Sequence, residues 1–102
     1  MILEYVRYTV DADRASAFVD AYAVAGKSLE ASPHCKGYEL SRCTEAPESF
    51  ILRIEWDSVE GHLQGFRASA EFRAFFAAIR PYVKDIGEMR HYAVTDVRWS
   101  RG

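Results

Sequence analysis

Hydrophobic and polar residues alternate along several stretches of the chain, as expected for β-strands. The predicted strands span residues 2–10, 36–44, 49–56 and 87–97. In the first strand both alternating sets contain large apolar side chains, with Ile2 and Val6 in one set and Tyr5 in the other. A strand of this kind is typical of a sheet that is covered on both faces.

Helical spacing of apolar residues separates these strands. The first helix follows the capping residue Asp11 and ends before Pro33, because the residue preceding a proline is disfavoured in the helical conformation. A short helix carrying His62 is predicted after the third strand. A longer helix is then capped by Ser69 and ended by Pro81.

The predicted order of elements is β-α-β-β-α-β. This order indicates an α+β protein with a ferredoxin-like fold, in which a four-stranded antiparallel sheet carries both helices on one face. We expect a single domain over residues 1–102, with residues 98–102 as a tail.

The face of the sheet opposite the helices mixes large apolar and charged side chains. Its predicted members are Leu3, Tyr5, Arg7, Ile51 and Arg53. Exposed apolar surface is costly in water, and two copies of such a face can cover each other in a twofold dimer. We therefore predict a homodimer through this face. Arg7 and Arg53 could hold an anionic group of a substrate or pair with Glu39 or Glu55.

Composition and charge exclude several classes of protein. Of 102 residues, 49% are hydrophobic, and 15 acidic residues oppose 13 basic ones, so intrinsic disorder is excluded. A net charge of −2 gives no general attraction to nucleic acid or anionic lipid. No apolar run reaches the length of a membrane span, and the alternating N-terminus lacks a signal-peptide pattern. We expect a cytoplasmic protein with no nucleic-acid or membrane partner.

Cysteine and histidine spacings give no sign of a disulfide or a metal site. Cys35 and Cys43 lie eight residues apart on one predicted strand, about 26 Å at the usual rise per residue. A disulfide needs Cα atoms within about 7 Å, so two free thiols are expected. The three histidines, His34, His62 and His91, come from separate elements, and nothing in their spacing predicts that they meet. We predict no metal ion.

Two short motifs resemble a known family. The sequence EWDS occupies residues 55–58 at a strand-to-helix junction, and F-x-x-S-x-x-F follows at residues 66–72. With the β-α-β-β-α-β order in about 100 residues, the chain resembles the antibiotic biosynthesis monooxygenase family of the dimeric α+β barrel superfamily. The resemblance covers roughly residues 2–97 and implies a pocket between sheet and helices.

Known members of that family include cofactor-free oxygenases acting on quinols and polyketide anthrones, as well as haem-degrading enzymes. The haem-degrading members use an Asn on the first strand, a Trp at the end of the third strand and a helical His as iron ligand. This chain retains only Trp56; Val6 and Phe66 stand at the other two positions. Haem without its axial imidazole loses the ligand that fixes it. His62, one turn before Phe66, is the one candidate replacement.

The resemblance therefore implies a cofactor-independent monooxygenase that oxidises a small aromatic, quinol or polyketide-type substrate with O2. Such chemistry needs an apolar pocket, a base and donors for the developing oxyanion. His62 and His91 are the candidate catalytic proton shuttles because imidazole titrates near neutral pH. The candidate substrate-binding residues are Trp56, Phe66, Phe72, Phe76, Tyr82 and Val6.

A function without catalysis is the alternative hypothesis. Phenylalanines at helical spacing usually form core, and each lone histidine could be structural. The alternative is therefore a module that binds a small hydrophobic ligand or assists a partner enzyme. Haem binding or degradation is a third, disfavoured reading.

Overall fold

The computed structural model describes all 102 residues and shows a four-stranded antiparallel sheet with two α-helices packed on one face. The strands are β1 (Ile2–Thr9), β2 (Cys35–Arg42), β3 (Ser49–Trp56) and β4 (Ile86–Ala93). The helices are α1 (Ala12–Ala31) and α2 (Ala70–Ile79), with a π-helical turn at Gly61–Phe66 and a 3-10 helix at Arg80–Asp85. The predicted ferredoxin-like α+β fold is confirmed.

The sheet order is β2-β3-β1-β4, so β1 is hydrogen-bonded on both sides. Its register sets Glu4 opposite Ile54 on β3 and opposite His91 on β4. A polar residue at the centre of the sheet therefore has a histidine directly across the ladder.

The core lies between the sheet and the helices. Phe18 of α1 is fully buried and makes edge or tilted contacts with the rings of Tyr8, Phe50 and Tyr82. The helical stripe predicted for α1 is buried as expected, with Ala15, Phe18, Tyr22, Ala25 and Leu29 facing the sheet. These contacts pack α1 against the sheet.

The uncovered face of the sheet carries the expected mixture of residues. Arg53 lies 3.6 Å from Glu39 and 3.7 Å from Glu55, so the ion pairs that were one of its two predicted roles are present. Tyr5 meets Tyr92 edge to face, with ring centroids 5.4 Å apart.

Several predicted elements differ in detail. The second strand spans Cys35–Arg42 instead of residues 36–44. The last strand ends at Ala93, not at residue 97, because its partner β1 begins at Ile2 opposite Ala93 and only one further backbone hydrogen bond, from Val94 N–H to the Met1 carbonyl, follows. The short helix that carries His62 is π-helical. Both cysteines are free, with Cys35 partly buried and Cys43 exposed just after β2. None of the helices has the length and hydropathy needed to cross a bilayer.

Candidate functional site

A carboxylate lies buried at the centre of the fold. Alternate residues of a strand share a face, and Glu4 therefore points toward the helices together with Val6 and Tyr8. Only 3% of Glu4 is exposed. Burial raises the pKa of Glu4 above its ordinary value of 4.5, and the hydrogen bond from Trp56 acts against this shift.

Trp56 contacts both this carboxylate and a histidine. Its Nε1 donates a 2.9 Å hydrogen bond to Oε1 of Glu4. Its ring stacks on the imidazole of His62, with centroids 4.5 Å apart and planes inclined by 14°. Trp56 therefore fixes the positions of two polar side chains.

His62 connects Glu4 with His91. Its Nε2 lies 3.4 Å from Oε1 of Glu4, and its Nδ1 lies 2.7 Å from Nε2 of His91. Burial lowers the pKa of His62 to about 4, and His91 and Arg67 add smaller repulsive contributions. A neutral imidazole has one donor and one acceptor nitrogen, so this arrangement can pass a proton from one end to the other.

The π-helical turn holds His62 in this position. Its first residue, Gly61, donates a backbone hydrogen bond of 2.8 Å to Oγ of Ser58. A Cβ at Gly61 would collide with Oδ1 of Asp57, and one at Gly65 would collide with the ring of His34. The turn can therefore approach His34 and Asp57 only because these positions are glycine.

His34 and Asp57 form a second, separate pair. Nδ1 of His34 and Oδ2 of Asp57 are 2.9 Å apart, and this hydrogen bond lowers the pKa of Asp57 below its usual value of 3.8. The pair packs against the π-helical turn and is separate from the cluster of Glu4, His62 and His91.

A cavity of about 210 Å³ lies between the sheet and α2, next to Glu4 and His62. Of its 16 lining residues, 13 are hydrophobic. The volume is below the roughly 300–1,000 Å³ of pockets for drug-sized ligands. The cavity therefore suits a molecule of one or two rings.

The predicted site residues fall into three groups. Lining the cavity are Val6, His62, Phe66, Phe72 and Phe76. His91 reaches it only through its hydrogen bond to His62. Trp56 and Tyr82 are buried outside the lining, where Trp56 supports the polar cluster and Tyr82 packs on Phe18. These two side chains therefore pack in the hydrophobic core and do not line the cavity.

Two tyrosines add polarity to the cavity wall. The hydroxyls of Tyr8 and Tyr22 are hydrogen-bonded to each other. Burial raises the pKa of Tyr8 to about 12 and also raises that of Tyr22. Both groups are therefore protonated at neutral pH, and the hydroxyl that accepts in this bond keeps its own O–H free to donate.

Three features of the site were not predicted from the sequence: Glu4, Arg67 and the meeting of His62 with His91. One signal was available for Glu4, since it is the only charged residue in the alternating set that contains Ile2, Val6 and Tyr8. The meeting of the histidines depends on the β1–β4 register and on the π-helical turn, which residue spacing does not encode. Arg67 follows that turn, lines the cavity and donates to Sδ of Met89 at 3.9 Å.

Comparison with known proteins gives a consistent result. The model of the family described as antibiotic biosynthesis monooxygenase matches residues 1–78. The chain is 27% identical over 75 residues to the uncharacterized protein YczJ of Bacillus subtilis (strain 168). The aligned region covers 74% of this chain and 79% of YczJ.

Solved structures share the fold. One from Bordetella bronchiseptica, named for the same family, is 26% identical with a TM-score of 0.77, over 92% of this chain and 96% of that one. SnoaB, a cofactor-independent oxygenase from Streptomyces nogalater, is 16% identical with a TM-score of 0.72, over 96% of this chain and 94% of that one. The likeness to SnoaB concerns the fold alone.

Proposed function

Because the chain belongs to the antibiotic biosynthesis monooxygenase family, we propose that it oxidises a small aromatic or quinol substrate with O2 in the cavity beside Glu4. The observation that carries the proposal is the contact of this apolar cavity with buried Glu4 and His62, which connect it to the partly exposed His91. An apolar chamber with a proton-accepting wall supplies what oxygenation without a cofactor requires of a protein.

The overall reaction balances without an added reductant. A phenol or naphthol loses a proton, and its anion gives one electron to O2, which forms superoxide and a substrate radical. The two recombine through a carbon–oxygen bond to a peroxide. Cleavage of the O–O bond leaves one oxygen on the substrate as a new carbonyl, and the other departs as water with the two hydrogens lost by the substrate.

The substrate proton would leave through His62. Glu4 and His62 face the cavity, and His62 Nδ1 is hydrogen-bonded to His91, which is partly exposed. A proton received at Nε2 of His62 allows the proton on Nδ1 to move to Nε2 of His91. A proton then leaves from Nδ1 of His91, and the net result is transfer out of a dry cavity.

The cavity wall would stabilise the anion that forms. The hydrogen-bonded pair of Tyr8 and Tyr22 has one free O–H to donate to a substrate oxygen, and the guanidinium of Arg67 brings positive charge to the lining. The rings of Phe66 and Phe72 meet edge to face, with centroids 5.6 Å apart, and offer flat surfaces to an aromatic substrate.

The proposal includes a homodimer through the uncovered sheet face. Half-buried Leu3, Tyr5 and Ile51 lie there beside the ion pairs of Arg53. Covering these apolar side chains with a second copy would remove them from water.

Oxygen uptake by metal-free protein tests the activity. Hydroquinones and naphthols, which have one or two rings, serve as the substrate panel, and autoxidation without protein is the baseline. We expect saturable uptake that is lost in Glu4→Gln and His62→Gln but kept in His34→Gln, which alters a histidine outside the cavity. With labelled O2, the product should contain one labelled oxygen. Uptake no faster than autoxidation across the panel, or uptake unaffected in all three variants, would contradict the proposal.

Binding without oxidation is the competing function, and the largely apolar lining of the cavity favours it equally. It predicts ligand-dependent thermal stabilisation with no oxidised product. Haem is a poorer candidate, since the cavity is small and Phe66 lines the wall where a ligand histidine would be needed.

A further inference from the structure

Glu4, His62 and His91 form a possible ligand set for a metal ion. Each offers one oxygen or nitrogen donor, and the three donor atoms lie within 4.8 Å of one another. They come from β1, the π-helical turn and β4, so three separately anchored elements converge on one point. Two imidazoles with one carboxylate are a common donor set for Zn²⁺ and other divalent transition metals.

The distances are close to those of a coordinated ion. Bonds of 2.0–2.1 Å at tetrahedral angles place two ligand atoms about 3.3 Å apart. His62 can give only one ring nitrogen to an ion: its Nε2 is 3.4 Å from Glu4 Oε1, whereas the opposite nitrogen, Nδ1, makes the 2.7 Å contact with His91 Nε2. One donor atom of each residue nevertheless lies within 4.8 Å of the other two, so side-chain rotations that shorten the longest separation by up to about 1.5 Å would aim all three at one ion.

The surroundings resemble the supporting shell of a metal site. The Trp56 N–H orients the Glu4 carboxylate, and its ring fixes the plane of the His62 imidazole. Glu4 and His62 are each only 3% exposed, so little water competes for their donor atoms. Partners of this kind tune a ligand's orientation and affinity.

We propose that Glu4, His62 and His91 bind one Zn²⁺-class divalent cation, and that the bound cation inhibits oxygenation by occupying the proton-accepting atoms. The binding stands on the geometry alone, whereas the inhibition rests on the proposed function. An ion held by these three side chains keeps an open coordination position for water or another small ligand.

Equilibrium dialysis of metal-free protein against ZnCl2 tests binding, with CoCl2 as a visible probe of coordination. We expect one ion per chain in the wild type and in His34→Gln, which removes the other histidine–carboxylate pair. Glu4→Gln and His91→Gln should each lose affinity by at least the roughly 10–100-fold that loss of a supporting residue costs. Trp56→Phe should lose about that amount.

A measurement on the unaltered protein covers the case in which a variant does not fold. Co²⁺ should shift the imidazole NMR signals of His62 and His91 strongly and those of His34 much less. Binding below one ion per chain, shifts confined to His34, or affinity unchanged in the folded triad variants would overturn the proposed site.

Inhibition is measured separately, as loss of oxygen uptake on addition of Zn²⁺. The inhibition constant should equal the dialysis constant, and a chelator should restore the rate. Binding without any oxygenation by metal-free protein would leave the metal site intact and contradict the proposed function. Oxygenation that persists at saturating Zn²⁺, or that requires Fe²⁺, would overturn the inhibitory role.

Discussion

The indole N–H of Trp56 donates to the carboxylate of Glu4 across 2.9 Å, and both side chains are buried. Glu4 is on β1 and Trp56 ends β3, so the bond joins neighbouring strands on the face that the helices cover. No buried side-chain nitrogen or oxygen in the structure lacks a hydrogen-bond partner. Trp56 therefore makes it possible to keep a carboxylate inside an apolar core.

Trp56→Phe should destabilise the fold. The phenyl ring keeps part of the packing but removes the donor, and an unsatisfied buried acceptor costs about 1–3 kcal/mol. Urea unfolding measures the difference. The matched control is Trp99→Phe, since Trp99 is 76% exposed and its loss should stay within about 0.5 kcal/mol. Equal stability of both variants would contradict the role of the bond.

The two histidines of the proposed proton path should respond differently to added imidazole. His62→Gln and His91→Gln should both slow oxygen uptake, by up to the roughly 10²–10⁴-fold attributed to acid–base catalysis. Because His91 is partly exposed and His62 is only 3% exposed, imidazole in the buffer should restore the rate of His91→Gln alone. Rescue of His62→Gln, or of neither variant, would argue against the path from His62 through His91 to solvent.

Local sequence patterns predicted those elements whose bounds depend only on neighbouring residues in the chain. The alternation from Phe50 to Trp56 predicts β3 with its observed bounds. Ser69 caps α2 by accepting from the backbone N–H of Phe72, as its position predicts. The predicted end of β4 was wrong because the length of this strand depends on where its pairing with β1 ends.

The candidate site was only partly predictable for the same reason. Phe66 was predicted as a substrate-binding residue and His62 as a proton shuttle, and both line the cavity. The pairing of His62 with His91 requires the β1–β4 register, and the π-helical turn sets the direction of His62. Glu4 was visible as a charge within an apolar set, but only the fold shows what satisfies it.

The uncovered sheet face predicts a change of oligomeric state on substitution. Ile51→Arg should convert a homodimer to a monomer, because it introduces a charge among the apolar side chains that the second copy would cover. Light scattering after gel filtration measures the mass. Val24→Arg is the matched control, since Val24 is 64% exposed on α1 and should leave the dimer intact. A monomeric wild type, or dimers of both variants, would contradict the proposed interface.

The His34–Asp57 pair predicts a pH-dependent contribution to stability. Its hydrogen bond lowers the pKa of Asp57, so the folded state favours the ionised carboxylate. This stabilisation is present above the ordinary value of 3.8 and is lost as the pH falls through the lower folded value. Asp57→Asn should therefore be less stable than the wild type at pH 7, and the difference should shrink below pH 3.8.

Urea unfolding at neutral and acidic pH checks this expectation. Asp20→Asn, on the exposed side of α1, should match the wild type at each pH. A deficit for Asp57→Asn that stays constant into the acid range would assign its effect to the shape of the side chain.

Gly65→Ala should destabilise the protein, although such a change in a helix interior usually stabilises it by about 1 kcal/mol. The added Cβ would overlap the imidazole of His34, which supports the turn that carries His62. In a His34→Ala background the overlap disappears, so the same substitution should become neutral or stabilising.

Urea unfolding of the wild type, the two single variants and the double variant measures this coupling, which for residues in contact is typically about 0.5–3 kcal/mol. Gly87→Ala is the control for added bulk, since its Cβ would meet nothing closer than the Arg7 carbonyl at 3.8 Å. Additive effects of the two substitutions would show that the turn does not rest on His34.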